Sequence, residues 1–269
     1  MRNNFTVQIN SSATIHYNDE GTGGIPLIFI HGFPFDRTSW LPQYDHFKQY
    51  CRVIIYDIRG FGSSLTDSDT QFSMEVFAKD LLAFMKALQI EKAIVCGLSM
   101  GGYILMNALK LEPERFAAVV LCDTQCNADT EEARQKRYKT IEQIREKGIG
   151  DFADSFIKNV FHEQSFESKK PEVEAIREVI MNTTQQTLVS TIKALANRPD
   201  TSDVLSSVKV PALIICGAQD KITPPEKSQA MHDLLKNAVY KVIDDAGHLS
   251  NIDQPEAFNK QLGEFIKDI

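Results

Sequence analysis

Residues 95–105 read VCGLSMGGYIL and set Gly97, Gly101 and Gly102 around Ser99. Glycine loses more backbone freedom on ordering than any other residue, so three of them within an apolar stretch call for a cause. The run just before, "KAIVCG" (92–97), reads as a strand, and the residues just after open a predicted helix. Gly97-Leu98-Ser99-Met100-Gly101 is therefore G-x-S-x-G at a strand-to-helix turn, the setting in which a serine is held at the tip of a sharp elbow. Side chains at the flanking positions would collide, and Gly102 lets the new helix approach the sheet. Strain of this kind costs about 1–3 kcal/mol and is typically retained at functional sites.

Working outward, short apolar runs alternate with helical patterns. "IPLIFI" (25–30), "CRVIIYD" (51–57), "AAVVLCD" (117–123), "VPALIICG" (210–217) and "VYKVIDDA" (239–246) read as further strands. Most lack polar alternation, as strands covered on both faces do. "SMEVFAKDLLAFMKALQI" (73–90) sets Val76, Phe77, Leu81, Phe84 and Leu88 on one helical stripe behind Ser73 as N-cap, and "PEAFNKQLGEFIKDI" (255–269) closes the chain in the same way. The better-alternating N-terminus predicts an antiparallel hairpin at a sheet edge. Together these give an α/β fold with a doubly wound, mostly parallel sheet. Residues 127–200 break the rhythm with helices over about 129–147, 149–162, 171–182 and 184–197 and no convincing strand. The expected organisation is a core of 1–126 and 201–269 with 127–200 inserted as a helical cap over one end of the sheet. The charge-dense first cap helix, ending at Gly148, reads as a solvated face.

Composition narrows the function. A formal charge of −7 disfavours nucleic acid and anionic membranes as partners. No segment approaches the ~18 apolar residues of a membrane span, and no export signal is visible. The five cysteines lack metal-ligand spacing and read as reduced thiols, which points to the cytoplasm and away from a zinc site.

A serine hydroxyl needs a base, and the base needs an orienting acid. Of six histidines, His31 in "HGFP" and His248 in "DDAGHLS" follow predicted strands, where a doubly wound fold builds its site. The candidate acids are Asp220 in "CGAQDKITP", Asp123 after "AVVLC" and Asp57 in "YDIRGFGSS".

HGFP (31–34), D-x-R-G-x-G-x-S (57–64), GLSMGG (97–102), GAQDKITPP (217–225) and AGHLSNIDQPEAF (246–258) resemble, in order and over nearly the whole chain, the α/β-hydrolase family. The segments HGFPFDRTSW and GLSMGGYILMNAL resemble especially its 3-oxoadipate enol-lactonases, small carboxylesterases and cofactor-free haloperoxidases. The resemblance implies Ser99 as nucleophile, His248 as general base and acid, Asp220 as its partner, and an oxyanion hole from the backbone N–H groups of Phe33 and Met100. His31 then becomes a structural loop residue, and Asp123 remains the rival acid, since some relatives place the acid after the earlier strand. The implied activity is cleavage of small carboxylic esters, with enol-lactone hydrolysis or perhydrolysis as alternatives, on a small-molecule substrate and with no cofactor or metal. A lyase or C–C hydrolase using the same residues, or a non-catalytic small-ligand receptor on the same fold, also fits. Arg37, Phe35, Trp40, Met100, Phe152, Phe156 and Phe161 are candidates for the pocket or for plain packing. Phe152, Phe156, Ile157 and Phe161 are expected to turn an apolar cap face to the Ser99 mouth.

Overall fold

A computed structural model describes residues 3–66, 71–267 and 269. Strands β1 (Phe5–Asn10) and β2 (Ala13–Glu20) form the N-terminal hairpin. There follow β3 (Leu27–Ile30), α1 (Leu41–Phe47), β4 (Val53–Tyr56), the two-residue β5 (Leu65–Thr66), α2 (Met74–Ala87), β6 (Ala93–Leu98), α3 (Met100–Leu111) and β7 (Phe116–Cys122). Six helices come next: α4 (Glu131–Lys147), α5 (Ile149–Val160), α6 (Ser165–Ser168), α7 (Lys170–Asn182), α8 (Gln185–Ala196) and α9 (Ser202–Ser207). The chain then returns through β8 (Ala212–Gly217), α10 (Pro225–Leu234), β9 (Ala238–Ile243), α11 (Ser250–Asp253) and α12 (Pro255–Ile266).

The sheet order is β1-β2-β4-β3-β6-β7-β8-β9, with β5 paired to β2. All pairings from β4 to β9 along this order are parallel, and the hairpin joins antiparallel at the β4 edge. From β3 the chain moves one way to β4 and then back across to β6. The β3/β6 gap is thus the point where the winding reverses, and the carboxyl ends of those strands face the crevice where such sheets bind ligands.

The missing polar alternation has a direct cause: the two faces of each strand feed two separate cores. Ile28, Ile30, Val95 and Val119 pack with α2, α3 and α10, while Leu27, Phe29, Cys96 and Val120 pack with α1 and α12. Ser73 caps α2 by accepting the Val76 N–H, as its sequence position suggests. The stripe of α2 is wider than expected, since Met74, Ala78 and Met85 are buried while Val76 and Leu88 stay half-buried. Strand β9 departs from the fully buried pattern because it is the sheet edge, leaving Val239 and Val242 exposed. Trp40 is fully buried against Phe29 and Phe258 where α1 begins.

Among the described residues the stretch between β7 and β8 holds no strand. Its two ends meet at a neck, where the Thr201 N–H (2.9 Å) and hydroxyl (3.1 Å) both donate to the Cys126 carbonyl. Gly148 ends α4 at φ 83°, the left-handed region a glycine tolerates. All five cysteines are free thiols. Among the described residues no helix is long and apolar enough to cross a membrane.

Candidate active site

The elbow at Ser99 follows from close approach. A Cβ on Gly97 would lie 2.4 Å from the Gly101 carbonyl oxygen, and one on Gly101 would lie 2.4 Å from the Ile30 carbonyl oxygen. Only glycine lets the strand end, the helix start and β3 touch at backbone distance. Ser99 sits at φ 52°, ψ −111°, strained for a residue with a side chain. It is held there by its own N–H on the Cys122 carbonyl (2.9 Å) and by the Thr124 hydroxyl on its carbonyl (2.7 Å).

Three side chains from three strand ends meet in one line. The Ser99 Oγ–H donates to His248 Nε2 at 2.9 Å, and His248 Nδ1–H donates to Asp220 Oδ2 at 2.8 Å. The second Asp220 oxygen accepts the Ile222 and Thr223 N–H groups at 2.8 and 2.9 Å, and the Thr223 hydroxyl reaches Oδ2 at 2.8 Å. Burial opposes charge on both partners. The attraction between them outweighs it, so the Asp220 carboxyl is held below its ordinary value and the His248 imidazole above. An ionised Asp220 accepting from Nδ1 fixes the tautomer that leaves Nε2 free to accept the serine proton.

The backbone amides of Phe33 and Met100 flank Ser99 at the β3 and β6 ends. Neither donates to a protein acceptor among the described residues, and both residues line the same cavity as Ser99. The chain at Gly32 runs so close that a Cβ there would lie 3.2 Å from the Ser99 Cβ.

The chain belongs to the alpha/beta hydrolase fold family. The sequence pattern of that family matches residues 25–255. The chain is similar to 3-oxoadipate enol-lactonase 1 of Acinetobacter baylyi, at 30% identity over 244 residues, 90% of this chain and 89% of that one. Its structure resembles a thermophilic esterase from Thermogutta terrifontis solved with malate bound, at TM-score 0.91 and 32% identity, covering 100% of this chain and 98% of that one. It also resembles the enol-lactonase from Burkholderia xenovorans, at TM-score 0.88 and 27% identity, over 95% of this chain and 97% of that one.

The rival residues of this hydrolase have other occupations. His31 Nε2 accepts the Ile58 N–H (2.9 Å) and its Nδ1–H donates to the Gly32 carbonyl (2.8 Å), bracing the loop that carries Phe33. Burial drops its pKa to about 4, so it is neutral at pH 7. Asp57 accepts from the Arg37 guanidinium, the Arg37 N–H (2.9 Å) and the Ser63 N–H (2.8 Å), beneath the same loop. Its burial outweighs the nearby Arg37 charge and raises its pKa to about 6. Asp123 accepts the Gly217 N–H at 2.8 Å and the Ser250 hydroxyl at 2.6 Å. It thereby ties the loop carrying Asp220 to the loop carrying His248. Burial, reinforced by the Asp220 charge, pushes its pKa well above the ordinary value.

A cavity of about 150 Å³ opens on Ser99 and His248 between core and inserted helices. Of the aromatic candidates, Phe152 and Phe156 line it together with Phe33 and Met100. Ile157 and Phe161 do not: they point into the core beneath, packed with α12 and the second sheet face. Phe35 and Trp40 are core, and Arg37 is spent on Asp57.

Several residues that shape the site escaped sequence reasoning. Asp253 is buried and accepts the Gly247 N–H (2.8 Å), the His162 N–H (2.9 Å) and the Ser165 hydroxyl (2.5 Å). It welds the His248 loop to the α5–α6 junction, a bond its position two residues before "PEAF" gives no sign of. Arg137 of α4, expected on a solvated face, lines the cavity instead. Tyr103, Thr140, Ile192, Leu195 and Ile222 complete its walls, and the first four stand on helices with only periodicity to mark them in the sequence.

Proposed function

We propose that this protein is a serine hydrolase of small carboxylic esters, working through an acyl-enzyme on Ser99. The observation that carries it is the unbroken hydrogen-bonded line from Asp220 through His248 to Ser99, on a strained elbow beside two unengaged amides. His248 Nε2 takes the serine proton as Oγ attacks the ester carbonyl. Asp220 keeps the imidazole in its tautomer and steadies the imidazolium. The Phe33 and Met100 N–H groups receive the oxyanion, each such donor being worth about 10²–10³ in rate. His248 then gives its proton to the departing alkoxide, and a water repeats the sequence to release the acid. When the substrate is a lactone, the departing alkoxide stays tethered to the acyl group and the product is one hydroxy acid. The enol-lactonase relatives favour that second reading.

The inserted stretch 127–200 acts as the cap over this site, consistent with the neck at Cys126 and Thr201. A cavity of about 150 Å³ suits a benzene-sized group, so short acyl chains are preferred over long ones. The five free thiols favour a cytoplasmic home. The test is hydrolysis of p-nitrophenyl acetate by the wild type and by Ser99→Ala. Turnover that disappears in the variant supports the proposal, and equal turnover in both overturns it.

A further inference from the structure

An ionised carboxylate offers about four places to accept a hydrogen bond, and at Asp220 a single residue fills two of them. The Thr223 N–H donates to Oδ1 at 2.9 Å and the Thr223 hydroxyl donates to Oδ2 at 2.8 Å. The Ile222 N–H on Oδ1 and His248 Nδ1–H on Oδ2, each at 2.8 Å, take the others. Thr223 is 1% exposed, so solvent does little to dilute these contacts. The sequence also holds it in place. Pro224 follows it directly, and a residue before proline is confined to extended backbone. Its own β-branched side chain turns stiffly about χ1.

The same hydroxyl stands 3.3 Å from His248 Nδ1. It has one proton, and the shorter contact commits that proton to Asp220. Toward the imidazole it offers only lone pairs, so Nδ1–H faces two acceptors. The opposite tautomer would set a bare Nδ1 against the Asp220 oxygen or draw the hydroxyl off it. Thr223 therefore reinforces the tautomer that leaves Nε2 free for Ser99. Its second effect is on basicity. A proton donated to Oδ2 draws electron density from the oxygen that holds Nδ1–H, and so weakens the hold of Asp220 on the imidazolium. That opposes Asp220 and Asp123, the two acids whose charges favour protonated His248. Asp123 is itself bound to the Gly217 N–H and the Ser250 hydroxyl, and Arg137 lies across the cavity on α4, tied to Asp129. Among the described residues, Thr223 and Asp220 are the two whose side chains reach Nδ1.

We propose that Thr223 is a positioning residue of the Ser99 site, which restrains the basicity of His248 through the oxygen of Asp220 that the two share. This rests on the reading of Ser99 as the nucleophile of an ester hydrolase. A group that takes a proton from Ser99 and then returns it to an alkoxide works best with a pKa near the working pH. Without the Thr223 donor the charge on Oδ2 falls undivided on Nδ1–H. His248 then holds its proton more firmly, and more of it stands protonated and idle at neutral pH.

The experiment is the pH profile of kcat/KM for p-nitrophenyl acetate from about pH 5 to about pH 9. It compares the wild type with Thr223→Val, which keeps the shape without the hydroxyl, and Thr223→Ser, which keeps the hydroxyl without the methyl. Ser99→Ala protein supplies the blank for spontaneous hydrolysis. The readout is the midpoint of the acid limb, which does not depend on how much of a sample is active. Thr223→Val is expected to raise that midpoint by about half a pH unit or more, a fraction of what a hydrogen bond to a charged group is worth. Thr223→Ser is expected to keep the wild-type midpoint. Should Thr223→Val not fold, Thr223→Cys takes its place: the thiol fills the same space, leaves no room for a water and donates far more weakly, so the midpoint again rises. A midpoint that stays or falls when the hydroxyl is lost, or that rises as much in Thr223→Ser, overturns the role of Thr223 and leaves the esterase reading standing. Equal turnover in the wild type and Ser99→Ala overturns the esterase reading and takes the role of Thr223 with it.

Discussion

Replacing Asp220 by Asn should be far more damaging than the same change at Asp123, although both carboxyls are buried and lie near His248. The difference follows from where the new amide can turn. At position 220 one oxygen accepts two backbone N–H groups, from Ile222 and Thr223. The Asn carbonyl must stay there, because turning the NH₂ toward these two donors leaves the buried Thr223 N–H unsatisfied at about 1–3 kcal/mol and adds a clash of donors at the part-buried Ile222 N–H. The NH₂ then occupies the Oδ2 site, facing His248 Nδ1, where the wild type accepts a proton at 2.8 Å. A donor in that place forces Nδ1 to become an acceptor, so Nε2 carries the proton and points it at Ser99. The base is lost. A wrong-tautomer change of this kind costs about 10⁴ in kcat, or about 5.5 kcal/mol of barrier. At position 123 the amide fits without conflict: its oxygen takes the Gly217 N–H and its NH₂ donates to the Ser250 oxygen, which reverses its hydroxyl. Asp123→Asn should keep kcat within about tenfold. The assay is steady-state hydrolysis of p-nitrophenyl acetate, with circular dichroism to verify folding. Losses of similar size in the two variants, or the larger loss at Asp123, would refute the tautomer argument and make Asp123 the acid.

Gly97→Ala should lower stability by about 2 kcal/mol or more, since its Cβ would stand 2.4 Å from the Gly101 carbonyl and the clash is with backbone; Gly150→Ala in α5, with no atom within 4 Å, should be neutral or stabilising by about 0.5–1 kcal/mol, and thermal melts of the pair would expose an error if their order reversed. Asp253→Asn should be mild, because its oxygen can keep both N–H groups and its NH₂ can donate to Ser165, whereas Asp253→Ala strands the Gly247 and His162 donors and should cost about 2–6 kcal/mol in urea unfolding. Because the folded-state pKa of Asp123 is raised above 3.8, its contribution to stability is present at low pH and lost as pH climbs through the raised value. Moving from about pH 5 to about pH 8, the wild type should lose stability relative to Asp123→Asn, and an unchanged gap between the two would contradict this. The raised pKa of His248 puts the acid limb of the kcat/KM profile above 6.5, because the base must be neutral to act; a midpoint below 6.5 would count against the His248–Asp220 pairing.

The parts legible in the sequence are those set by local rules. The elbow could be read because glycine spacing, a β-branched run and a helix start coincide within eleven residues. The core strands could be read because residues facing both cores give continuous apolar runs. The hairpin could be read because its outer strand alternates. What stayed hidden depends on pairing across the fold. Arg137 and Arg198 meet at Asp129 across 69 residues of chain at the longer span, and nothing in the periodicity of α4 marks which of its many charges turns inward. Asp253 reaches back 91 residues to His162, and its role exists only because α5 ends against the His248 loop. Phe161 and Ile157 shared an apolar pattern with Phe152 and Phe156. Position around α5 separates them: Phe152 and Phe156, four residues apart, face the cavity, while Ile157, and Phe161 just past the helix end, pack into the core. The minor strand β5 has two residues, too few for any periodic signal.

The central claim is that the Ser99 oxygen becomes acylated during turnover. The most direct measurement is mass spectrometry of the protein quenched in acid within the first turnovers of p-nitrophenyl acetate, with the modified peptide sequenced. One acetyl group on Ser99 is expected, absent from Ser99→Ala and forming far more slowly in Asp220→Asn, which lacks the base for the attack. An acetyl group carried by His248 or by no residue of the elbow, with hydrolysis continuing undiminished in Ser99→Ala, would contradict it.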